Sequence, residues 1–231
     1  MRAFPRARSR HPGSIRRRIF LPGYLARSRS YEPGLPDDWI ALQAPLEIRA
    51  TGSLERHRDW LVEHIADLGQ PVVLGGHSMG ASVAVMVAAR APERVAGLVL
   101  VAPAGLPISK PIRRITQDFL RHLAAGHFRP VDVLLPALDL VRAPQAAVRA
   151  GRTVRRLDLS EELRAVREAG VRTTVIACAT DTLTTPTSAR RVAELTGGSY
   201  RELRLEGGHV WMFGCWDRFA QELAQAACPA T

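Results

Sequence analysis

The sequence predicts an α/β protein: a mostly parallel sheet of about six strands, flanked by helices and carrying a helical insertion. Short apolar runs alternate with longer segments of helical periodicity, and between residues 102 and 160 this alternation gives way to helical patterns alone. The 231 residues, 46% hydrophobic and 23% charged, suffice for one domain with a sizeable core. This composition excludes a disordered chain, a collagen-like fibre and a disulfide scaffold.

Runs rich in aliphatic residues mark the candidate strands. They lie at residues 19–21, 46–50, 72–75, 95–101, 173–179 and 200–205. Because helical segments separate them, a parallel sheet with helices on its faces is expected. No apolar run approaches the about 18 residues that a membrane-spanning helix needs.

The candidate helices are recognised by apolar stripes and by their ends. Ser160 is predicted to cap a helix whose first turn carries Glu161 and Glu162, and Pro92 ends an earlier one. One helix is expected where Leu54, Leu61, Ile65 and Leu68 form an apolar stripe. The other candidate helices lie at residues 79–90, from 160 onward, at 188–195 and at 216–227.

The central insertion is predicted to be a lid. Residues 105–111 read as a loop, and helical patterns follow at 112–125, 131–141 and 145–157. A helical insertion of this kind most simply covers the carboxyl ends of the strands, where such sheets bind ligands. The predicted organisation is a basic tail at 1–18, a core formed by 19–104 and 160–231, and a lid at 105–159.

The net charge of +10 is unevenly distributed. Residues 1–18 hold seven arginines and no acid, and the insertion holds ten basic residues against four acidic ones, so the remaining core is slightly acidic. The tail has too few large apolar residues to fold alone. The charge raises the idea of nucleic-acid binding, but no motif or aromatic platform supports it.

The amino-terminal region and the cysteines predict a cytoplasmic protein. Arg17 and Arg18 superficially match a twin-arginine export signal, but Pro22 and Gly23 interrupt the apolar stretch that follows. The three cysteines form no spaced pair and leave an odd count, which is typical of reduced thiols. Metal binding by these cysteines is not expected.

Residues 76–80 read Gly-His-Ser-Met-Gly and match the G-x-S-x-G pattern. The motif alone is only moderately specific, but an aliphatic strand precedes it and an alanine-rich helix follows. This strand-turn-helix setting is the one a nucleophilic serine requires, since the sharp turn leaves no space for side chains at Gly76 and Gly80. Ser78 is therefore the candidate nucleophile.

A serine hydroxyl needs a base, and the base needs an acid that orients it. Asp181 and His209 each follow a predicted strand, as expected for loops at the carboxyl edge of the sheet. The other histidines and acids lie in less suitable positions and are interpreted as polar-face or packing residues. They are His57, His64, His77, His122, His127, Asp158 and Asp217.

With these residues the chain resembles the α/β-hydrolase superfamily, in particular its compact capped members. The resemblance covers about residues 19–227 and rests on the Gly-His-Ser-Met-Gly motif, on Asp181 with Pro186, and on Gly207-Gly208-His209, in the family order Ser, Asp, His. Leu21-Pro22-Gly23-Tyr24 is similar to the family's oxyanion loop, although Pro22 stands where His is common. The resemblance implies an oxyanion hole formed by the backbone amides of Tyr24 and Met79.

The implied reaction is hydrolysis of a carboxylic ester or thioester through an acyl-enzyme on Ser78, with no metal or other cofactor. The same three residues could instead serve acyl transfer or C–C bond hydrolysis, and the scaffold could be a non-catalytic small-molecule receptor. A serine at position 78 argues against dehalogenase and epoxide hydrolase chemistry.

The expected substrate is a small acyl compound, and the insertion is expected to set specificity. Trp211, with Met212 and Phe213, is predicted to line an apolar pocket, with core packing as the alternative; Phe119 is a further candidate. The insertion's arginines form either a solvated face or a site, including Arg113, for an anionic or carrier-linked substrate.

Overall fold

The computed structural model describes residues 17–126 and 128–227. Residues 1–16 of the predicted tail lie outside the described residues. Arg18, the last residue assigned to the tail, is the first residue of a strand and pairs with Asp38. In the described part of the chain, no helix is long and apolar enough to cross a membrane.

Six parallel strands form one sheet in the order β2-β1-β3-β4-β5-β6. The strands are β1 (Arg18–Leu21), β2 (Trp39–Ala41), β3 (Val72–His77), β4 (Val95–Val101), β5 (Thr173–Cys178) and β6 (Ser199–Leu203). The strand order reverses between β1 and β3, and sheets of this type bind ligands at such a reversal. The predicted parallel architecture is confirmed.

Helices cover both faces of the sheet. They are α1 (Leu46–Arg49), α2 (Leu54–Ala66), α3 (Met79–Arg90), α4 (Ile112–Ala125), α5 (Pro130–Arg142), α6 (Pro144–Arg156), α7 (Ser160–Glu168), α8 (Pro186–Thr196) and α9 (Trp216–Ala227), with short 3₁₀ segments at Ser28–Ser30, Glu32–Gly34, Pro92–Arg94 and Gly208–Gly214. Helices α4, α5 and α6 occupy the insertion between β4 and α7.

Alternate residues of each strand enter two separate apolar cores. Ile19 and Leu74 pack with α2, α3, α7 and α8 on one face of the sheet. Phe20 and Val73 point to the other face, where an aromatic cluster with Tyr31 and Phe219 covers the strands. The two cores hold the carboxyl ends of the strands at one edge.

The strand predicted at residues 46–50 is wrong: this segment is helix α1. Pro45 accepts backbone hydrogen bonds from Ile48 and Arg49, and the Arg49 guanidinium donates to the carbonyl oxygen of Ala44. The apolar alternation of Leu46 and Ile48 is too short to distinguish a strand from one helical turn. The second strand is instead β2, a three-residue edge strand without a distinct apolar run.

The predicted N-cap of α7 is also wrong. Ser160 is the first helical residue and Leu159 occupies the cap position. The backbone N–H and the hydroxyl of Ser160 both donate to Asp158 Oδ1, at 3.0 and 2.6 Å, so the preceding aspartate satisfies this helix end. The two first-turn carboxylates, Glu161 and Glu162, are confirmed.

Candidate active site

The turn between β3 and α3, residues 76–80, places Ser78 at the carboxyl edge of the sheet. Ser78 has φ 52° and ψ −114°, a conformation that side chains rarely adopt. A Cβ atom at Gly76 would overlap the backbone of Gly80, and one at Gly80 would lie 2.6 Å from the carbonyl oxygen of Pro22. Only glycine fits at both positions, and the strained serine is held by backbone on both sides.

Ser78, His209 and Asp181 form a continuous row of hydrogen bonds. The Ser78 hydroxyl donates to His209 Nε2 at 3.0 Å, and His209 Nδ1 donates to Asp181 Oδ2 at 2.8 Å. All three residues are buried. The structure thus brings the three predicted residues together from the ends of β3, β5 and β6, in an arrangement that can raise the nucleophilicity of the serine.

Asp181 is held as a carboxylate by its own loop. Burial opposes its ionisation, but interactions with His209, Thr184 and Leu183 outweigh burial and lower the pKa of Asp181. The backbone amides of Leu183 and Thr184 donate to Oδ1 at 2.7 and 3.1 Å, and the Thr184 hydroxyl donates to Oδ2 at 2.8 Å. A charged Asp181 can hold the histidine ring in one orientation and stabilise its protonated form.

The loop after β1 packs against the first turn of α3. The close approach of Gly80 to Pro22 brings Tyr24 and Met79, the two predicted oxyanion-hole residues, to the wall of one cavity. Met79 is the first residue of α3, where backbone N–H groups and the helix dipole favour negative charge.

A buried bridge through His77 connects the β1 loop to the backbone of His209. The Gly23 amide donates to the Tyr31 oxygen at 3.2 Å, the Tyr31 hydroxyl donates to His77 Nδ1 at 2.8 Å, and His77 Nε2 donates to the carbonyl oxygen of His209 at 2.9 Å. Because a carbonyl oxygen only accepts, Nε2 carries the proton and Nδ1 is the acceptor.

The bridge residue His77 stays neutral. Burial, and then the proximity of His209, lower the pKa of His77 to about 3. Burial also raises the pKa of Tyr31. Sequence reasoning assigned His77 a packing role and did not single out Tyr31; the place of His77 beside the candidate nucleophile was the available signal, and nothing in the local sequence of Tyr31 indicated its partner.

Helix α4 of the insertion packs directly over the loops that carry Asp181 and His209. The hydroxyl of Thr182 donates to His122 Nε2 at 2.9 Å, and a Cβ at Gly208 would overlap the His122 ring. Lys110, just before α4, donates to the carbonyl oxygen of Thr182 and to Asp118. Burial lowers the pKa of His122. These contacts hold α4 against the site.

A cavity of about 110 Å³, the alanine cavity, lies between the β1 loop, α2, α3 and α6. Its walls include Tyr24 and Met79 on the core side and the small side chains of α6 on the insertion side. Among the described residues, no cluster of three or more His, Cys, Asp or Glu side chains is placed to hold a metal ion.

The predicted substrate-binding residues do not line this cavity. Trp211 is 1% exposed and packs edge-on against Phe219 in the aromatic core, to which its neighbours Met212 and Phe213 also belong. Phe119 is half-buried and Arg113 is exposed on α4, and neither lines the alanine cavity. Sequence alone could not distinguish the core and pocket interpretations of Trp211 because both require an apolar environment.

The sequence matches the alpha/beta hydrolase family over residues 5–222. None of the curated proteins compared with the chain matches it.

Solved structures share the fold at low identity. A lipase-esterase related protein from Clostridium acetobutylicum is 13% identical, with a TM-score of 0.70 over 92% of this chain and 95% of its own. Est816, described as an N-acyl homoserine lactone degrading enzyme, is 18% identical (TM-score 0.71; 90% and 92%). A thioesterase domain from the curacin biosynthetic pathway is 20% identical (TM-score 0.59; 92% and 92%).

Proposed function

The chain belongs to the alpha/beta hydrolase family, and we propose that it cleaves a carboxylic ester or thioester through an acyl-enzyme on Ser78. The observation that carries the proposal is the unbroken hydrogen-bonded row from Ser78 through His209 to the Asp181 carboxylate. A lipase-esterase relative and a thioesterase domain among the structural neighbours support the substrate class.

In the proposed reaction, Ser78 Oγ attacks the acyl carbon while its proton passes to His209 Nε2. The backbone amides of Tyr24 and Met79 bind the resulting oxyanion. The carbon–oxygen or carbon–sulfur bond then breaks, and the leaving group takes the proton from His209. Water attacks the acyl-enzyme with His209 as base, which releases the acid and restores the Ser78 hydroxyl.

Asp181 acts throughout as the fixed negative partner of His209. It keeps the proton of the neutral ring on Nδ1, so that Nε2 is free to accept from Ser78. Helices α4, α5 and α6 serve in this proposal as a lid, since α4 and the segment just before it contact both loops that carry Asp181 and His209. The free thiols of Cys178 and Cys215 support a reducing, cytoplasmic location.

The test is covalent labelling with a fluorophosphonate probe, followed by turnover of p-nitrophenyl esters and an acyl thioester. We expect the wild type to label and to turn over one of these classes, and Ser78→Ala to do neither. Ser82→Ala is the matched control: Ser82 lies one turn along α3, and its hydroxyl donates to the carbonyl oxygen of Ala104 at 2.6 Å and to that of Ser78 at 3.5 Å, rather than to His209.

Labelling that persists in Ser78→Ala would refute the nucleophile. Labelling of Ser78 without turnover of any ester or thioester would refute the substrate class and favour C–C hydrolysis, transfer to another acceptor, or a receptor. An ester with a terminal carboxylate, compared with its neutral analogue, tests whether the substrate is anionic.

A further inference from the structure

Helix α6 presents only alanines to the alanine cavity. Ala143 at the helix start and Ala146, Ala147 and Ala150 within it recur at helical spacing and line the cavity. The other face of α6 is exposed and carries arginines at positions 149, 152 and 156. Each side chain that this helix turns toward the cavity is therefore a single methyl group.

Two contacts to its own backbone hold α6 in position, so that the helix does not close the space beneath its alanines. The Tyr24 hydroxyl donates to the carbonyl oxygen of Ala147 at 2.7 Å. A Cβ at Gly52 would lie 2.5 Å from the carbonyl oxygen of Ala146, which shows how closely the turn before α2 supports the helix. Larger apolar side chains at these positions would bury more surface, yet the helix carries the smallest ones.

The opposite wall of the cavity is aliphatic and begins beside the candidate oxyanion hole. Leu54 and Leu61 of α2 and Val83 of α3 are almost fully buried and face this space together with Tyr24 and Met79. Of the described residues that line the cavity, none is acidic.

The two basic residues on the wall are engaged by backbone. The Arg49 guanidinium donates to the carbonyl oxygen of Ala44, and His57 Nδ1 donates to the carbonyl oxygen of Ser53. Burial lowers the pKa of His57, which favours its neutral form. Leu46, 46% exposed, marks the rim. The cavity therefore suits a narrow aliphatic group rather than a charged one.

We infer that the alanine cavity holds the acyl chain of the substrate, and that the alanine face of α6 sets the permitted length of a straight aliphatic chain. The inference rests on the proposed acyl-enzyme at Ser78 and adds to it the class of acyl group. The acyl chain enters the cavity beside Tyr24 and Met79, and it lies between α6 on one side and α2 and α3 on the other.

The experiment compares kcat/KM for p-nitrophenyl esters from acetyl to dodecanoyl in wild type, Ala147→Leu, Ala150→Leu and Val148→Leu. Val148 is the matched control because it neighbours Ala147 but is 51% exposed on the opposite face. We expect Ala147→Leu to lower the ratio of long-chain to short-chain kcat/KM at least tenfold, and Val148→Leu to leave it unchanged. The ratio does not depend on the fraction of folded enzyme.

An unchanged ratio in both Ala147→Leu and Ala150→Leu would overturn the inference. If Ser78 is still labelled in that case, the proposed function remains intact. A separate measurement needs no catalysis. Decanoate is expected to raise the melting temperature of Ser78→Ala but not of the Ser78→Ala, Ala147→Leu double variant. If Ser78 does not label and decanoate still discriminates these two proteins, the proposed function fails and the cavity stands; equal shifts would overturn the cavity.

Discussion

The turn at residues 76–80 and helix α6 both border the alanine cavity. They differ in the atoms that an added side-chain carbon would meet. At the turn, backbone meets backbone: a single added carbon at Gly76 or Gly80 would overlap main-chain atoms. At α6, a Cβ at Gly151 would meet the Tyr24 side chain, whose hydroxyl is nearest at 3.3 Å, and the neighbouring alanines border open space.

This difference separates the geometry of the proposed reaction from its specificity. Main-chain atoms cannot move independently of the sheet, so the turn permits little variation. Side chains on α6 can change size without moving a strand, so the cavity that we propose for the acyl chain can change shape while the core stays the same. Four substitutions test how far this contrast extends, beginning with the largest expected effect.

Asp181→Asn is expected to lower kcat by about three to four orders of magnitude, because an amide favours the wrong tautomer of His209. Stability should change little, since asparagine fills the same space. Steady-state kinetics and urea denaturation measure the two effects. Asp158→Asn is the control, because this exposed acid bonds to Ser160 at the start of its own helix. Near-normal turnover in Asp181→Asn would place the orienting acid elsewhere.

Gly80→Ala is expected to lower the free energy of unfolding by about 3 kcal/mol, because the new methyl group meets the backbone carbonyl groups of Leu21 and Pro22. Gly105→Ala in the insertion should change it by less than about 0.5 kcal/mol, since the nearest atom is 3.7 Å away on Leu159. Urea denaturation of both variants decides this. Equal free energies of unfolding for the two variants would contradict the conclusion that the turn at residues 76–80 permits little variation.

His77→Gln is expected to flatten the pH dependence of stability between about pH 6.5 and about pH 3. The ordinary pKa of histidine is 6.5 and that of folded His77 is about 3, so within this window the unfolded chain binds a proton that the fold excludes. Wild-type stability therefore falls as the pH is lowered, and removal of the titrating ring removes that contribution.

Urea denaturation at several pH values measures this slope. His209 and Asp181 influence His77 and are present in both proteins, so the difference between the two slopes isolates position 77. Tyr31→Phe is the control: it loses the hydrogen bond but keeps His77, and its slope should persist. Parallel curves for wild type and His77→Gln would show that His77 is not held neutral.

Arg113→Ala is expected to leave kcat/KM unchanged for neutral and anionic esters alike. Arg113 is exposed on α4 and does not line the alanine cavity. Kinetics on a matched pair of esters, one with a terminal carboxylate, provide the measurement. A selective loss for the anionic ester would show that the arginine face of the insertion contacts substrate.

Much of the fold could be predicted because strong local patterns have few alternatives. The aliphatic run of β4 and the helix α3, which ends before Pro92, coincide with their predicted ranges. The secondary-structure prediction was wrong where the apolar pattern was short. Residues 46–50 satisfy the strand and the helix period equally, and Trp39–Ala41 became a strand only because β1 offered it an edge.

The candidate site divides in the same way. Gly76, Ser78 and Gly80 are adjacent in sequence, so their turn is a local property, and Asp181 and His209 were inferred from their places after strands. The bridge from Tyr31 through His77 to His209, and the cavity beneath Ala147, join segments that no local pattern relates.

The sequence by itself determined the parallel sheet, the strained serine turn and the candidate acid and base, because glycine sterics, aliphatic periodicity and strand-end positions act over a few residues. The tertiary structure decided that Trp211 belongs to the core and that alanines of α6 line a cavity. It also decided that His77 is neutral. Burial and contact depend on which distant segments pack together, and a side chain's environment exists only once they have done so.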